Sequence, residues 1–276
     1  MIIEKQKDLQ GLSTFGLQAL ANYYLEFTTG AELLSISDFA NDVHLPPLTL
    51  GGGSNLIFCS NYPGIVVKNK IDEIEQTSPS RVRVRAGPTW DKLVAWTISH
   101  GLSGLEGLSG IPGSVGGAIA LNAGAYGATT KESLESVRVY DIATRELLSF
   151  TTNELHYWHR SSIFREKRGN DWVIVDATFK LSRHMHTLDH PKINALSDTV
   201  RRDAFALREA VLELRKHLPD PMRVHNSGSF FLNPIVPNSV AQELRLRYPA
   251  IAMRPHDARH EQIAAGWLLD TAGLKG

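Results

Sequence analysis

The sequence predicts an α+β or α/β fold, because segments typical of strands and of helices alternate along its 276 residues. Runs rich in β-branched and aromatic residues indicate strands at 81–87 (RVRVRAG), 136–141 (SVRVYD) and 171–181 (DWVIVDATFKL). In the first run arginine alternates with valine, which is the pattern of a strand that is buried on one face.

The first predicted helix covers residues 89–101 (TWDKLVAWTISHG). Thr89 suits its N-cap position, and Gly101 suits its C-terminal stop. A longer helix is expected over residues 203–218, ended by the turn sequence PDP at 219–221.

Two further helices are expected near the end of the chain, at residues 238–248 and 261–273. Asn238 is the expected N-cap of the first one. The PDP turn also suggests a domain boundary near Pro219.

Composition argues against several classes of protein. The 29 Lys and Arg balance the 29 Asp and Glu, and this zero net charge disfavours nucleic acid or an anionic membrane as partner. Cys59 is the sole cysteine, so no intrachain disulfide forms and a reducing compartment is expected. The first ten residues are charged and lack the apolar run of a signal peptide. We therefore expect a cytoplasmic protein without an obligate protein partner.

Two stretches are rich in glycine, GGGSN at residues 51–55 and GIPGSVGGAIALNAGAYG at 110–127. Glycine lets a backbone approach a ligand closely, and consecutive N–H groups can form a concavity that suits a diphosphate. The first stretch follows the apolar LTL, as if a strand ended in such a turn. Taken singly, either stretch is more often a tight turn in a β-rich protein.

Other signatures of a site are absent or weak. The sequence has no GxxxxGK[ST], no dinucleotide-binding GxGxxG turn at 51–56 and no GxSxG. His184, His186 and His190 share one segment and could hold a metal from one face of a strand. Exposed histidines near the end of a strand are the commoner arrangement, so no metal site is expected.

Seven motifs follow one another along the chain: LGGGSN (50–55), GLEGLSGIPGSVGGA (104–118), NAGAYG (122–127), HRSSIFR (159–165), LPDP (218–221), NSGSFFLNP (226–234) and AAGWLLDTAGLKG (264–276). In this order they resemble the motifs of the UDP-N-acetylmuramate dehydrogenase family, also called the UDP-N-acetylenolpyruvoylglucosamine reductases. Any one motif is weak, but their common order is highly specific.

The resemblance implies a flavoenzyme of bacterial peptidoglycan synthesis that reduces an enolpyruvyl ether with NADPH and non-covalently bound FAD. It also implies an α+β protein with the flavin-binding fold of vanillyl-alcohol oxidase (PCMH type). Residues 1–70 and 71–218 would form two FAD-binding subdomains, and residues 219–276 an incomplete α+β substrate-binding domain.

The resemblance further implies that the two glycine stretches surround the FAD diphosphate, which backbone dipoles rather than lysines would hold. The residues that it assigns to the cofactor are Gly51, Gly52, Gly53, Ser54, Asn55, Leu56, Pro112, Gly113, Ser114, Gly117, Asn122, Gly124 and Tyr126.

Two residues receive catalytic roles from the resemblance. An enol ether accepts hydride poorly unless the charge that flows onto its carboxylate is stabilised. Arg160 matches the family arginine on that carboxylate, and its rigid guanidinium fork suits the task. Ser229 matches the residue that then protonates C2.

Substrate contacts are expected at Asn233 and at His190, which stands where a related loop carries tyrosine. The chain departs from the family at His159, where tyrosine is usual, and at Met222 and Leu232, where lysines are common. A weaker or rearranged grip on the substrate is therefore expected.

Two alternatives stay open. Family members continue past the position of Gly276 through a segment with a catalytic glutamate, so the chain could be a truncated FAD-binding module with little turnover. It could also be another FAD oxidoreductase of the same fold, such as an alcohol oxidase, although NSGSFFLNP argues against this.

Overall fold

The computed structural model describes residues 1–157, 162–166, 171–220, 223–226, 228 and 231–274. The chain divides into two units, residues 1–226 and 227–276. The domain boundaries inferred from the sequence, at residues 70 and 218, stay predictions.

The first unit begins with a four-stranded sheet made of β1 (Ile2–Asp8), β2 (Leu20–Phe27), β3 (Pro47–Leu50) and β4 (Tyr62–Asn69). The strands are ordered β1-β2-β4-β3; β1 runs antiparallel to β2, and β4 runs parallel to β2 and β3. Helix α1 (Glu32–Val43) connects β2 to β3. Its apolar stripe of Leu33, Ile36 and Ala40 packs on the sheet.

Seven strands follow in the first unit: β5 (Ile74–Ser78), β6 (Arg81–Arg85), β7 (Gly124–Ala125), β8 (Ala128–Thr129), β9 (Leu134–Asp141), β10 (Leu147–Thr151) and β11 (Trp172–Lys180). Five of them form an antiparallel sheet in the order β10-β9-β11-β6-β5, and β7 pairs with β8. The three predicted strands are confirmed as β6, β9 and β11. In β6, Val82 and Val84 are fully buried, as their alternation with arginine indicated.

The other helices of this unit are α2 (Trp90–Ser99), α3 (Val115–Ala120), α4 (Thr130–Ser133), α5 (Pro191–Asn194), α6 (Asp198–Arg201) and α7 (Ala204–Arg215). Short 3-10 turns cover Gln10–Leu12, Glu106–Leu108, Thr152–Leu155 and Ile163–Arg165. Thr89 caps α2 as predicted, accepting a hydrogen bond from the Lys92 amide. The predicted long helix is confirmed as α7, although it ends at Arg215, short of the PDP turn.

Strand β11 lies between two layers, which explains why its residues from Trp172 to Ala177 are all buried. Val173 and Val175 pack with α1 and the first sheet, whereas Ile174 and Phe179 belong to the core beneath α2 and α3. Side chains also join the two sheets, because Thr49 Oγ1 donates to Trp172 O at 3.1 Å and Asn69 Nδ2 donates to Ile174 O at 3.0 Å. These bonds hold the ends of β3 and β4 against β11.

The second unit contains β12 (Ile235–Pro237), α8 (Asn238–Arg247), β13 (Met253–Pro255), β14 (His260–Ile263) and α9 (Ala265–Thr271). Its three strands form an antiparallel sheet with β14 in the centre.

Both helices predicted for the second unit are present, as α8 and α9, but two details of the prediction are wrong. The predicted helix over 261–273 begins only at Ala265, because residues 260–263 pair with strands on both sides. Asn238 does not cap α8: Pro237 holds the N-cap position, and Asn238 Nδ2 donates to Ala258 O at 3.2 Å.

Among the helices of the described residues, none combines the length and the apolar character that crossing a membrane requires.

Candidate cofactor site

The first glycine stretch forms a loop directly after β3, as its position behind LTL predicted. Gly53 has φ of +70°, and a Cβ atom there would lie 1.9 Å from Leu12 O. Only glycine fits this combination of positive φ and close backbone approach.

The second stretch meets this loop at the start of α3. A Cβ atom on Gly52 would lie 2.4 Å from Gly113 Cα, and Gly113 itself has φ of +113°. Ser54 Oγ donates to Pro112 O at 3.1 Å. The two glycine stretches therefore form one joined backbone surface.

A cavity of about 370 Å³ opens beside this surface, within the first unit. Its lining includes residues of both glycine stretches and of the end of β4: Gly51, Gly52, Ser54, Lys68, Asn69, Lys70, Pro112, Gly113, Ser114, Gly116 and Gly117. Apolar side chains also line it, chiefly those of Leu48, Phe164, Trp172 and Ile174. A cavity lined by both kinds of group suits a ligand that joins an anionic group to flat rings.

The loop after β3 has backbone donors to spare. Within the described part of the chain, the amides of Gly52, Gly53, Ser54 and Asn55 donate to no protein acceptor. Consecutive amides of this kind bind anions, so the loop fits a diphosphate.

The start of α3 contributes differently. Val115 N donates to Pro88 O, Gly116 N to Ala86 O and Gly117 N to Ser114 Oγ, so these three amides are already occupied. Close backbone approach at Gly113 is therefore the contribution of the second stretch that the structure shows directly.

Several predicted cofactor residues do not line this cavity, including Gly53 and Asn55 of the first stretch. Asn122 is buried and its side chain accepts the Lys131 amide at 3.0 Å, while Gly124 lies in β7. Tyr126 packs edge-on against His190, with ring centroids 5.3 Å apart. Leu56 O accepts a hydrogen bond from Ser13 Oγ at 2.9 Å. Their assignment to the cofactor, like that of the cavity residues, stays a prediction.

Four predicted residues lie outside the described residues: the catalytic Arg160 and Ser229, and the departures His159 and Met222. The described residues nearest to Arg160 on both sides are anchored to α3. Tyr157 Oη donates to Ile119 O at 2.8 Å, and Ser162 Oγ donates to Ala120 O at 2.6 Å. Burial raises the pKa of the Tyr157 hydroxyl well above its usual range, so it remains a donor at neutral pH.

The predicted substrate residues make local contacts within their own units. Asn233 Oδ1 accepts the Ala265 amide at 2.9 Å and so secures the start of α9. His190 is the N-cap of α5, where Nδ1 accepts the Lys192 amide at 3.2 Å. Leu232 is 69% exposed. In the described ranges no three His, Cys, Asp or Glu side chains converge as a metal site requires.

Sequence reasoning missed Lys68, a cavity residue near the end of β4. A lysine within the apolar run YPGIVVKN was the available signal, because such a strand is expected to be buried. Sequence reasoning also missed Trp172 and Ile174, because an apolar residue in a strand predicts burial but does not indicate whether the residue lines a cavity.

Comparison with known proteins finds relatives that match nearly the whole chain. A family model described as an FAD binding domain matches residues 21–151. The UDP-N-acetylenolpyruvoylglucosamine reductase of Bdellovibrio bacteriovorus is 35% identical over 286 residues, covering 100% of this chain and 84% of the relative. The UDP-N-acetylenolpyruvoylglucosamine reductase of Burkholderia ambifaria is 34% identical over 281 residues, covering 96% of this chain and 79% of the relative.

A solved structure of the same kind of reductase also resembles this chain. The crystal structure of UDP-N-acetylenolpyruvylglucosamine reductase (MurB) from Thermus caldophilus is 25% identical and superposes with a TM-score of 0.70. The likeness covers 100% of this chain and 82% of that one. The predicted α+β, vanillyl-alcohol-oxidase type flavin-binding fold is thereby confirmed. The chain belongs to the UDP-N-acetylenolpyruvoylglucosamine reductase family.

Proposed function

We propose that this protein reduces UDP-N-acetylenolpyruvoylglucosamine to UDP-N-acetylmuramate, with FAD as cofactor and NADPH as hydride donor. The observation that carries the proposal is the joined surface of the two glycine stretches beside a cavity of about 370 Å³. The names of the relatives supply the substrate, which is a small nucleotide-sugar.

Different groups of the chain are proposed to contact different parts of FAD. The free amides of Gly52 to Asn55 would hold the diphosphate, and the apolar lining residues Trp172 and Ile174 would accommodate ring surface. FAD supplies the capacity to accept hydride from NADPH and to pass it on.

We assign the reduction of the substrate to two residues from the family motifs. Arg160 holds the substrate carboxylate and stabilises the charge that develops there as hydride adds to C3. Ser229 then delivers a proton to C2, so that one hydride and one proton saturate the double bond. Tyr157 and Ser162, the described residues on either side of Arg160 in the chain, are hydrogen-bonded to α3.

Asn233 and His190 are proposed to contact the nucleotide-sugar, and we place the enzyme in the cytoplasm, where nucleotide-sugars and NADPH are made. Zero net charge supports a small-molecule substrate in preference to nucleic acid or a membrane surface.

The test follows the two half-reactions separately. The purified protein should be yellow and release FAD, not FMN, on denaturation. Under anaerobic conditions NADPH should bleach the flavin absorbance, and UDP-N-acetylenolpyruvoylglucosamine should restore it.

Other outcomes would select an alternative. Bleaching without recovery on adding the nucleotide-sugar would indicate a flavin-binding module without turnover. Bleaching by a simple alcohol would indicate an oxidase of the same fold. A colourless protein that takes up no FAD would end the proposal.

A further inference from the structure

Lys68 occupies an unusual position for a lysine. It lies in β4 between the buried residues Val67 and Asn69, and its side chain is half-buried on the cavity wall. Its Nζ donates to Gly51 O, the carbonyl at the start of the glycine loop. The lysine therefore braces the loop and places a positive charge beside its free amides.

This charge has no acidic partner within the described residues. Glu26 of β2 is the cross-strand neighbour of Lys68, but the Glu26 carboxylate accepts the Tyr24 hydroxyl at 2.6 Å. No ion pair joins Glu26 to Lys68 in the described ranges. The other charged neighbour, Lys70, has the same sign.

A half-buried ammonium with only a neutral carbonyl as acceptor is incompletely compensated. An anion bound in the cavity would supply the missing charge. We propose that Lys68 is the counter-charge of the FAD diphosphate, acting together with the free amides of the loop. This inference rests on the proposed function, and it adds a lysine to a site that the family resemblance assigns to backbone dipoles alone.

The titration of Lys68 gives a second signature. Burial, followed by the charge of Lys70, lowers the pKa of Lys68 to about 8, while Glu26 opposes the change. An anion bound at Lys68 favours the charged form, so FAD affinity should be constant well below pH 8. Affinity should fall as the pH rises above 8, because the free protein then loses the proton that the complex needs.

The experiment compares binding of FAD and of riboflavin, which lacks the diphosphate, to the apoprotein by fluorescence titration. In Lys68→Met the Kd for FAD should rise about 10- to 100-fold, the usual effect of losing a charged hydrogen-bond partner. The Kd for riboflavin should change less than about twofold. Lys68→Arg should retain most FAD affinity and lose the weakening above pH 8, because arginine stays charged.

Lys180→Met is the matched control, because it removes the same charge from the exposed end of β11, away from the cavity. It should leave both affinities unchanged. Equal losses for FAD and riboflavin in Lys68→Met, or an FAD Kd that does not vary with pH in the wild type, would overturn the assignment. A wild type that binds no FAD at all would instead refute the proposed function.

Discussion

Gly52 and Gly113 approach so closely that a Cβ atom on Gly52 would lie 2.4 Å from the Gly113 Cα. This contact joins the loop after β3 to the loop before α3, and the cavity opens beside it. The site therefore depends on two backbones that no side chain separates.

Gly52→Ala should disrupt this contact. The added methyl group would force the two loops apart, so we expect the free energy of unfolding to fall by about 1–3 kcal/mol. FAD affinity should fall by about tenfold or more, and denaturant unfolding and FAD titration measure the two effects. Gly30→Ala is the control, since a Cβ atom there would meet nothing within 4 Å. Wild-type FAD affinity in Gly52→Ala would show that the contact is dispensable.

Ser229→Ala should separate the two half-reactions. Reduction of the flavin by NADPH should be nearly unchanged, whereas its reoxidation by the enolpyruvyl substrate should slow by about 10²- to 10⁴-fold. Stopped-flow absorbance resolves both phases, with Ser60→Ala at an exposed loop serine as control. An equal loss in both phases would remove Ser229 from the role of proton donor.

Arg160→Lys should also impair reoxidation while sparing reduction. Lysine keeps the charge but cannot reproduce the two parallel donors of the guanidinium group toward a carboxylate. Arg183→Lys makes the same change at an exposed position and should behave as the wild type. Unaltered reoxidation in Arg160→Lys would mean that another group holds the carboxylate.

Ser162→Ala tests whether the anchor next to Arg160 positions it. The Ser162 side chain is 2% exposed and donates to Ala120 O at 2.6 Å. Its loss should slow reoxidation about tenfold, since small displacements of a catalytic group are costly, and leave the FAD Kd unchanged. Ser99→Ala removes a similar bond to Trp96 O at an exposed site and should have no effect. A purely structural role would instead lower stability without a selective effect on reoxidation.

Asp91→Asn should change the pH dependence of stability. Burial alone would raise the pKa of Asp91, but hydrogen bonds from Arg208 and the Gly110 amide, with the charge of Arg215, hold the pKa below its ordinary value. A lowered pKa stabilises the fold above the unfolded-state value of about 4, and this contribution is lost as the pH falls further.

In Asp91→Asn the free energy of unfolding at pH 7 should fall by about 1–2 kcal/mol, an amount discounted because the Asp91 side chain is 37% exposed. The difference in free energy of unfolding between variant and wild type should shrink between roughly pH 5 and pH 3, the range around the pKa of a carboxyl group. Urea unfolding at several pH values measures this difference. Asp42→Asn, on the exposed face of α1, is the control. If the difference in free energy of unfolding stayed constant across this pH range, the destabilisation would come from altered packing and not from the charge of Asp91.

Sequence reasoning succeeded where short-range physics decides the outcome. The alternation in β6, the Thr89 cap of α2 and the end of β3 before GGGSN depend on residues a few positions apart, so their patterns are readable in one dimension. The order of the seven motifs also identifies the family without any tertiary information.

Tertiary structure alone decided the rest. The sequence pattern placed residues 261–263 in a helix, yet residues 260–263 form the central strand of a sheet because they pair with β12 on one side and β13 on the other. The stacking of the two sheets brings Gly52 to Gly113 and leaves Asn122 and Tyr126 off the cavity wall. Lys68 likewise has no acidic partner among the described residues, because Glu26, its neighbour on the adjacent strand, binds Tyr24 of its own strand. Each of these outcomes depends on which distant backbones approach, a property that local propensity does not encode.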